Sequence, residues 1–156
     1  MNDYDPYGPQ RSNIFRHAGF RVGIVGAIIM IVVHLFALLI NHGNTSWDLY
    51  VWFLQLIVYF FAAQSAAQQH YNARERSPEA LRGVIGAGVG AALTISFLLW
   101  LYIILRGVLR DALGITINVE PISLFCIIVL DVLLALGLGA LGGKIVANKY
   151  KNFTGY

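Results

Sequence analysis

In the run LDVLLALGLGALGGK, from Leu130 to Lys144, Asp131 is the one carboxylate among apolar and glycine residues. An acid placed there must be paired, hydrogen-bonded or neutralised, so it is either a polar pin between packed segments or a site that carries a proton or cation. Three other apolar segments each contain a strongly polar residue at a matching position: His34, Gln55 and Thr94. Each of the four lies twelve or thirteen residues from the residue that closes its segment (Arg21, Gln68, Arg82 and Lys144). As helices this puts them roughly 18 to 20 Å deep, in one layer. The simplest chemistry for that layer is a set of hydrogen bonds between helices that fixes their register, at about 0.6 to 2 kcal/mol per bond. The sharper alternative makes Asp131 a proton or cation site with His34 as its relay, although no second acid or interrupted helix is visible to complete it.

Other chemistries are less well supported. A neutral His34 imidazole has the character of an axial ligand to haem or a pigment, but His17, His42 and His70, the candidates for a second ligand, all lie near segment ends. The sequence predicts no cofactor beyond lipid and no metal site. Cys126 is the single cysteine and has no histidine at its depth, and no loop is long enough to fold over a substrate. The glycine-rich stretches lack a following Gly-Lys-Ser/Thr and so do not form a phosphate loop. The expectation is that the chain is not an enzyme.

The elements that must position these residues follow from composition. With 58% hydrophobic and 12% charged residues over a length of 156, the chain is far more apolar than a soluble domain. Four segments reach the roughly 20 residues needed to cross a bilayer as helices: 20–41, 49–68, 83–105 and 121–143. The fold class is therefore an all-α integral membrane protein, a four-transmembrane-helix bundle with short loops, flanked by tails at 1–19 and 148–156. Asp3 and Asp5 precede the first segment and no Ala-x-Ala-like site follows it, so it is expected to remain as an anchor. Nine of the eleven basic residues (Arg11, Arg16, Arg21, Arg74, Arg76, Arg82, Lys144, Lys149 and Lys151) fall on one side, against Arg106 and Arg110 on the other. The positive-inside bias then puts both termini in the cytoplasm, in the inner or plasma membrane. Net positive charge is explained by that topology and by an anionic inner leaflet, without nucleic acid as a partner. Trp47, Tyr50, Trp52, Trp100 and Tyr102 are expected to form an aromatic belt at the outer interface.

Local signals mark the helix ends. Thr45 and Asp48 are spaced as a capping box, Ser77-Pro78-Glu79 supplies a cap, a first-turn proline and an acid, and Pro121 suits a helix start. In the outer segment 106–120, apolar residues at helical spacing up to Gly114 suggest an interfacial helix, and the alternation from Ile115 to Val119 suggests an extended piece. Gly23-Ile24-Val25-Gly26-Ala27 resembles Gly83-Val84-Ile85-Gly86-Ala87, which is compatible with a two-helix duplication.

Small residues concentrate in the half of each segment expected nearest the cytoplasm. The spacings Gly19/Gly23/Ala27, Gly86/Gly90 and Gly139/Gly143, with Gly83 heading the third segment, predict close approach of helix backbones there. Helical phase aligns His34 with Ala27 and Gly23, Gln55 with Ala62 and Ala66, Thr94 with Ala87 and Gly83, and Asp131 with Leu138 and Gly142. The polar layer therefore points along the packing faces. Gln64 and Gln68 give the second segment another polar edge, which suggests a second chain. The functional expectation is an accessory or structural subunit of a larger membrane complex or homo-oligomer, with a proton- or cation-coupled transporter as the alternative.

Overall fold

The computed structural model describes residues 17–40, 46–73, 80–114 and 121–154. They form four α-helices: α1 (Ala18–Ile40), α2 (Ser46–Ala73), α3 (Ala80–Ala112) and α4 (Pro121–Thr154). All four are long and apolar enough to cross a membrane. The surface bears this out, since Phe36, Phe61, Phe97 and Phe125 are each more than 60% exposed. The core is built largely from Ala63, Ala66, Ala67, Ala87, Ala91, Ala92 and Ala135, all fully buried. In water this distribution would leave a very large apolar surface uncovered; in lipid it is the arrangement that lets backbones pack closely.

Three helices run further than the apolar pattern predicts. α2 continues past Gln68 and buries His70 and Tyr71. α4 continues about three turns past Gly143 to Thr154. Residues 106–112, expected as a separate interfacial helix, continue α3 without a break, because Gly107 alone does not interrupt a helix that is otherwise well formed. That helix ends at Ala112 and turns off at Gly114, whose φ of 76° suits a residue without a Cβ. There the Gly114 N–H donates to Asp111 O at 2.9 Å and closes the last turn. α4 begins at Pro121, as its first-turn preference suggests. The expected extended piece at 115–119, the Ser77-Pro78-Glu79 cap, Thr45 and the N-terminal tail up to residue 16 lie outside the described residues.

The helices form two ends. At the proximal end α1 and α3 begin and α2 and α4 finish; the distal end is opposite. α2 and α3 are in contact with each other, and each also packs against both α1 and α4, whereas among the described residues α1 and α4 do not pack together. The cross-section is therefore a rhombus, with α2 and α3 across its short diagonal. Tyr71 and Tyr150 stack at 4.0 Å between α2 and α4 at the proximal end, and His17 and His70 stack at 5.9 Å beside α1. Toward the distal end, an apolar groove of about 270 Å³ opens between α1 and α2, lined by residues including Val33, Phe36, Val51 and Leu54.

Candidate functional site

Asp131 is 2% exposed, on the face of α4 that also buries Ala135, Gly139 and Gly142. Two pairs of donors converge on it, each spaced one helical turn apart: Gln55 and Tyr59 on α2, Ser96 and Trp100 on α3. Gln55 Nε2 donates to Oδ1 at 2.7 Å. Ser96 Oγ and Trp100 Nε1 donate to Oδ2 at 2.6 and 2.9 Å. The Tyr59 hydroxyl lies 3.1 Å from Oδ1 and 2.9 Å from Oδ2, and it accepts from Gln55 Nε2 at 2.6 Å. One carboxylate thus joins three helices.

Every group aimed at the carboxylate is a hydrogen-bond donor in this arrangement, and Trp100 can be nothing else. Four donors to two oxygens come close to filling the acceptor capacity of an ionised carboxyl group, the chemistry that makes burying it tolerable. Among the described residues no lysine, arginine or histidine contacts it, and no three His, Cys, Asp or Glu side chains gather into a metal-binding group.

Of the four residues expected in one layer, the structure brings Gln55 to Asp131 and places the other two elsewhere. His34 Nδ1 donates to Met30 O at 2.9 Å within α1. It makes no hydrogen bond to Asp131, and among the described residues α1 packs against α2 and α3 and not against α4. Thr94 Oγ1 donates to Gly90 O at 2.7 Å, and the Thr94 side chain faces Gly23 of α1. Thr94 has nearly the right depth but points to the wrong neighbour; Ser96, two residues on and about 200° around the helix, faces α4. Tyr59, Ser96 and Trp100 were not expected in the site. The sequence places Trp100 in the expected interfacial belt, yet its indole N–H is committed to Asp131. The signal available in the sequence was the pair of i, i+4 spacings.

The small residues divide in a similar way. A Cβ at Gly19 would meet Ala87 O at 2.6 Å, one at Gly23 would meet Ala91 O at 2.8 Å, and one at Gly83 would run into the His70 ring. Gly139 and Gly143 lie against the backbone of Val89 and Ile85, with a Cβ 2.8 and 2.7 Å from their Cα atoms, and Ala27 is buried. Gly86, by contrast, is exposed with nothing within 4 Å of its Cβ position, and Gly90 meets only Gly19 Cα at 4.0 Å. Gly86 falls away from the helix contacts, and Gly90 stands beside α1 with room for a Cβ, because spacing alone does not say which face a neighbour occupies. Gly26, Gly88 and Gly142 do meet neighbouring helices closely. Gly23 and Gly83, equivalent in the proposed repeat, pack against different partners. Gln64 is half-buried with its backbone beside Gly142, and Gln68 is exposed.

Comparison with protein-family models, curated proteins and solved structures finds no match.

Proposed function

We propose that the chain is a structural subunit of the membrane: a four-helix unit, held in register by Asp131, that packs beside other membrane chains in a larger complex or as a homo-oligomer. The observation that carries this reading is the Asp131 cluster. A carboxylate that accepts from four donors on two helices, with no lysine, arginine or histidine in contact among the described residues, is built as an acceptor that ties helices together. A transport site instead needs a ligand to come and go, and the expected relay from His34 has no contact through which to reach α4.

The arrangement of helices supports the partner half of the reading. α1 and α4 sit at the two far corners of the rhombus, each packing only against the α2–α3 pair. Both therefore keep broad outward faces within the bilayer. The exposed Gln68 near the proximal end adds a polar contact point for another chain. We place the proximal end in the cytoplasm, on the bias of basic residues toward it.

The test is native mass spectrometry or a blue-native gel in mild detergent, together with flux measurements in sealed vesicles. The reading expects migration as a defined assembly larger than one chain, and no flux of protons or ions. A lone monomer would overturn the subunit reading. Proton flux that Asp131→Asn abolishes would establish the transporter instead.

A further inference from the structure

The seam where α1, α2 and α3 meet ends distally in an apolar groove and two arginines. Gly26 marks the seam deeper in the bundle, since a Cβ there would meet Ile95 of α3 at 2.6 Å and Val58 of α2 at 3.6 Å. Gly19, Gly23 and Gly26 approach α3 at successively later positions, so α1 and α3 run in the same direction. Eleven residues beyond the Gly26–Ile95 contact, the same face of each helix therefore carries Ala37 and Arg106 at one level. Seven residues distal to Val58, the same face of α2 carries Val51. Val33, Ala37 and Val51 line the groove, and Arg106 stands on the α3 face behind it, with Arg110 one turn further out. We infer that the groove binds a phospholipid of the distal leaflet, one acyl chain lying between α1 and α2 and the phosphate of an anionic headgroup held by Arg106 and Arg110.

The groove has the shape and depth for an acyl chain. It encloses about 270 Å³ and on α1 runs from Val32 to Ile40, about 12 Å at 1.5 Å per residue. A further helix, about 10 to 12 Å across with its side chains, is too wide to enter it. Apart from the Tyr50 hydroxyl, its lining side chains are hydrocarbon. Ile40, the last residue of α1, and Tyr50, near the start of α2, stand at its distal end, whereas Val32 and Leu54 lie deeper. The groove therefore opens toward the headgroups and closes in the hydrocarbon.

The charges at its open end favour a phosphate. Arg106 and Arg110 are both half-buried, and among the described residues neither makes an ion pair or a hydrogen bond. Asp111 is exposed and lies about 100° around the helix from Arg110. The guanidinium fork matches phosphate oxygens, and two of them one turn apart surround one headgroup. They stand just past Leu105, where the apolar run of α3 ends. One turn deeper on the same face, the Tyr102 hydroxyl is buried with no hydrogen-bond partner among the described residues, at the level where the ester carbonyls of such a lipid lie.

The experiment is native mass spectrometry of the full chain released from vesicles of phosphatidylglycerol and phosphatidylcholine, mixed equally and with the same acyl chains. Wild type is expected to keep one phosphatidylglycerol in preference to phosphatidylcholine. Arg106→Gln and Arg110→Gln should each weaken that retention about fivefold, the effect of one basic residue on an anionic lipid. Lys144→Gln with Lys149→Gln removes as much charge as the arginine pair, from exposed proximal positions, and should leave the first bound lipid in place. Ala37→Leu fills the groove while keeping both arginines, and should reduce retention of both lipids. As a measurement that needs no groove variant, phosphatidylglycerol titrated into detergent is expected to raise the unfolding midpoint of wild type saturably, and not that of the double arginine variant. Equal retention of the two lipids by wild type, no loss in the arginine variants, or a folded Ala37→Leu that binds as wild type does would overturn the site. A wild-type chain that carries a second protein chain and no lipid would give the groove to a protein partner instead.

Discussion

Asp131→Ala removes the acceptor from four donors at once, leaving Gln55, Tyr59, Ser96 and Trp100 facing a space with nothing to receive their hydrogens. Each bond inside a bilayer is worth about 0.6 kcal/mol and seldom more than about 2, so the expected loss is about 2 to 4 kcal/mol, read from reversible unfolding in mixed detergent. Trp100→Phe keeps most of the ring and removes one donor, for an expected loss of about 1 kcal/mol. Thr94→Val should change stability by less than about 0.5 kcal/mol, because its hydroxyl bonds within its own helix. A ranking with Thr94→Val above Trp100→Phe would mean the cluster is not where the helices are held. Depth was readable from the sequence: counting residues from the segment ends located Asp131 and Gln55 correctly relative to each other. Direction was not, since a residue at the right depth can face either neighbour, and only the packing order of the helices decides whether Thr94 or Ser96 meets Asp131.

At the scale of the helices, close contacts rather than glycine count decide which positions tolerate a side chain. Gly139 lies where α4 crosses α3, and a Cβ there would stand 2.8 Å from Val89 Cα, with Gly88 O at 3.1 Å and Ala92 Cβ at 3.2 Å. Backbone cannot give way as a flexible side chain can. Gly139→Ala is therefore expected to destabilise the bundle by about 1 to 3 kcal/mol. Gly86→Ala places its methyl group in open space and should be neutral or stabilising by up to about 1 kcal/mol through helix propensity. Thermal unfolding of the two variants in one detergent checks the pair, and equal losses would count against the packing described here. The existence and order of all four helices were legible from apolar length alone. Their ends were less so: the apolar stretch in α4 stops near Gly143, but the helix continues through Lys144, Lys149 and Lys151, where polar residues of good helix propensity need no burial to stay helical.

For the molecule as a whole, the rhombus makes α2 and α3 the shared interior and leaves orientation to the charges at the two ends. Lys144 and Lys149 are exposed on the proximal part of α4 and Arg21 near the start of α1, while Arg106 and Arg110 belong to the distal part of α3. An excess of lysine and arginine in short flanking segments favours retention on the cytoplasmic side during insertion, so the proximal end should face inward. Cys126 is exposed and must first be replaced by alanine to give a background without thiols. Asn72 and Asn148 are exposed near the proximal end, and Asp111 is exposed in the last turn of α3 at the distal end. A membrane-impermeant maleimide added to intact cells is expected to label Asp111→Cys, and to reach Asn72→Cys and Asn148→Cys only after permeabilisation. Because the paired ends of α2 and α4 are stacked through Tyr71 and Tyr150, the two proximal positions must behave alike. Labelling of both from outside would invert the protein in its membrane, and labelling of one without the other would break the four-helix arrangement itself.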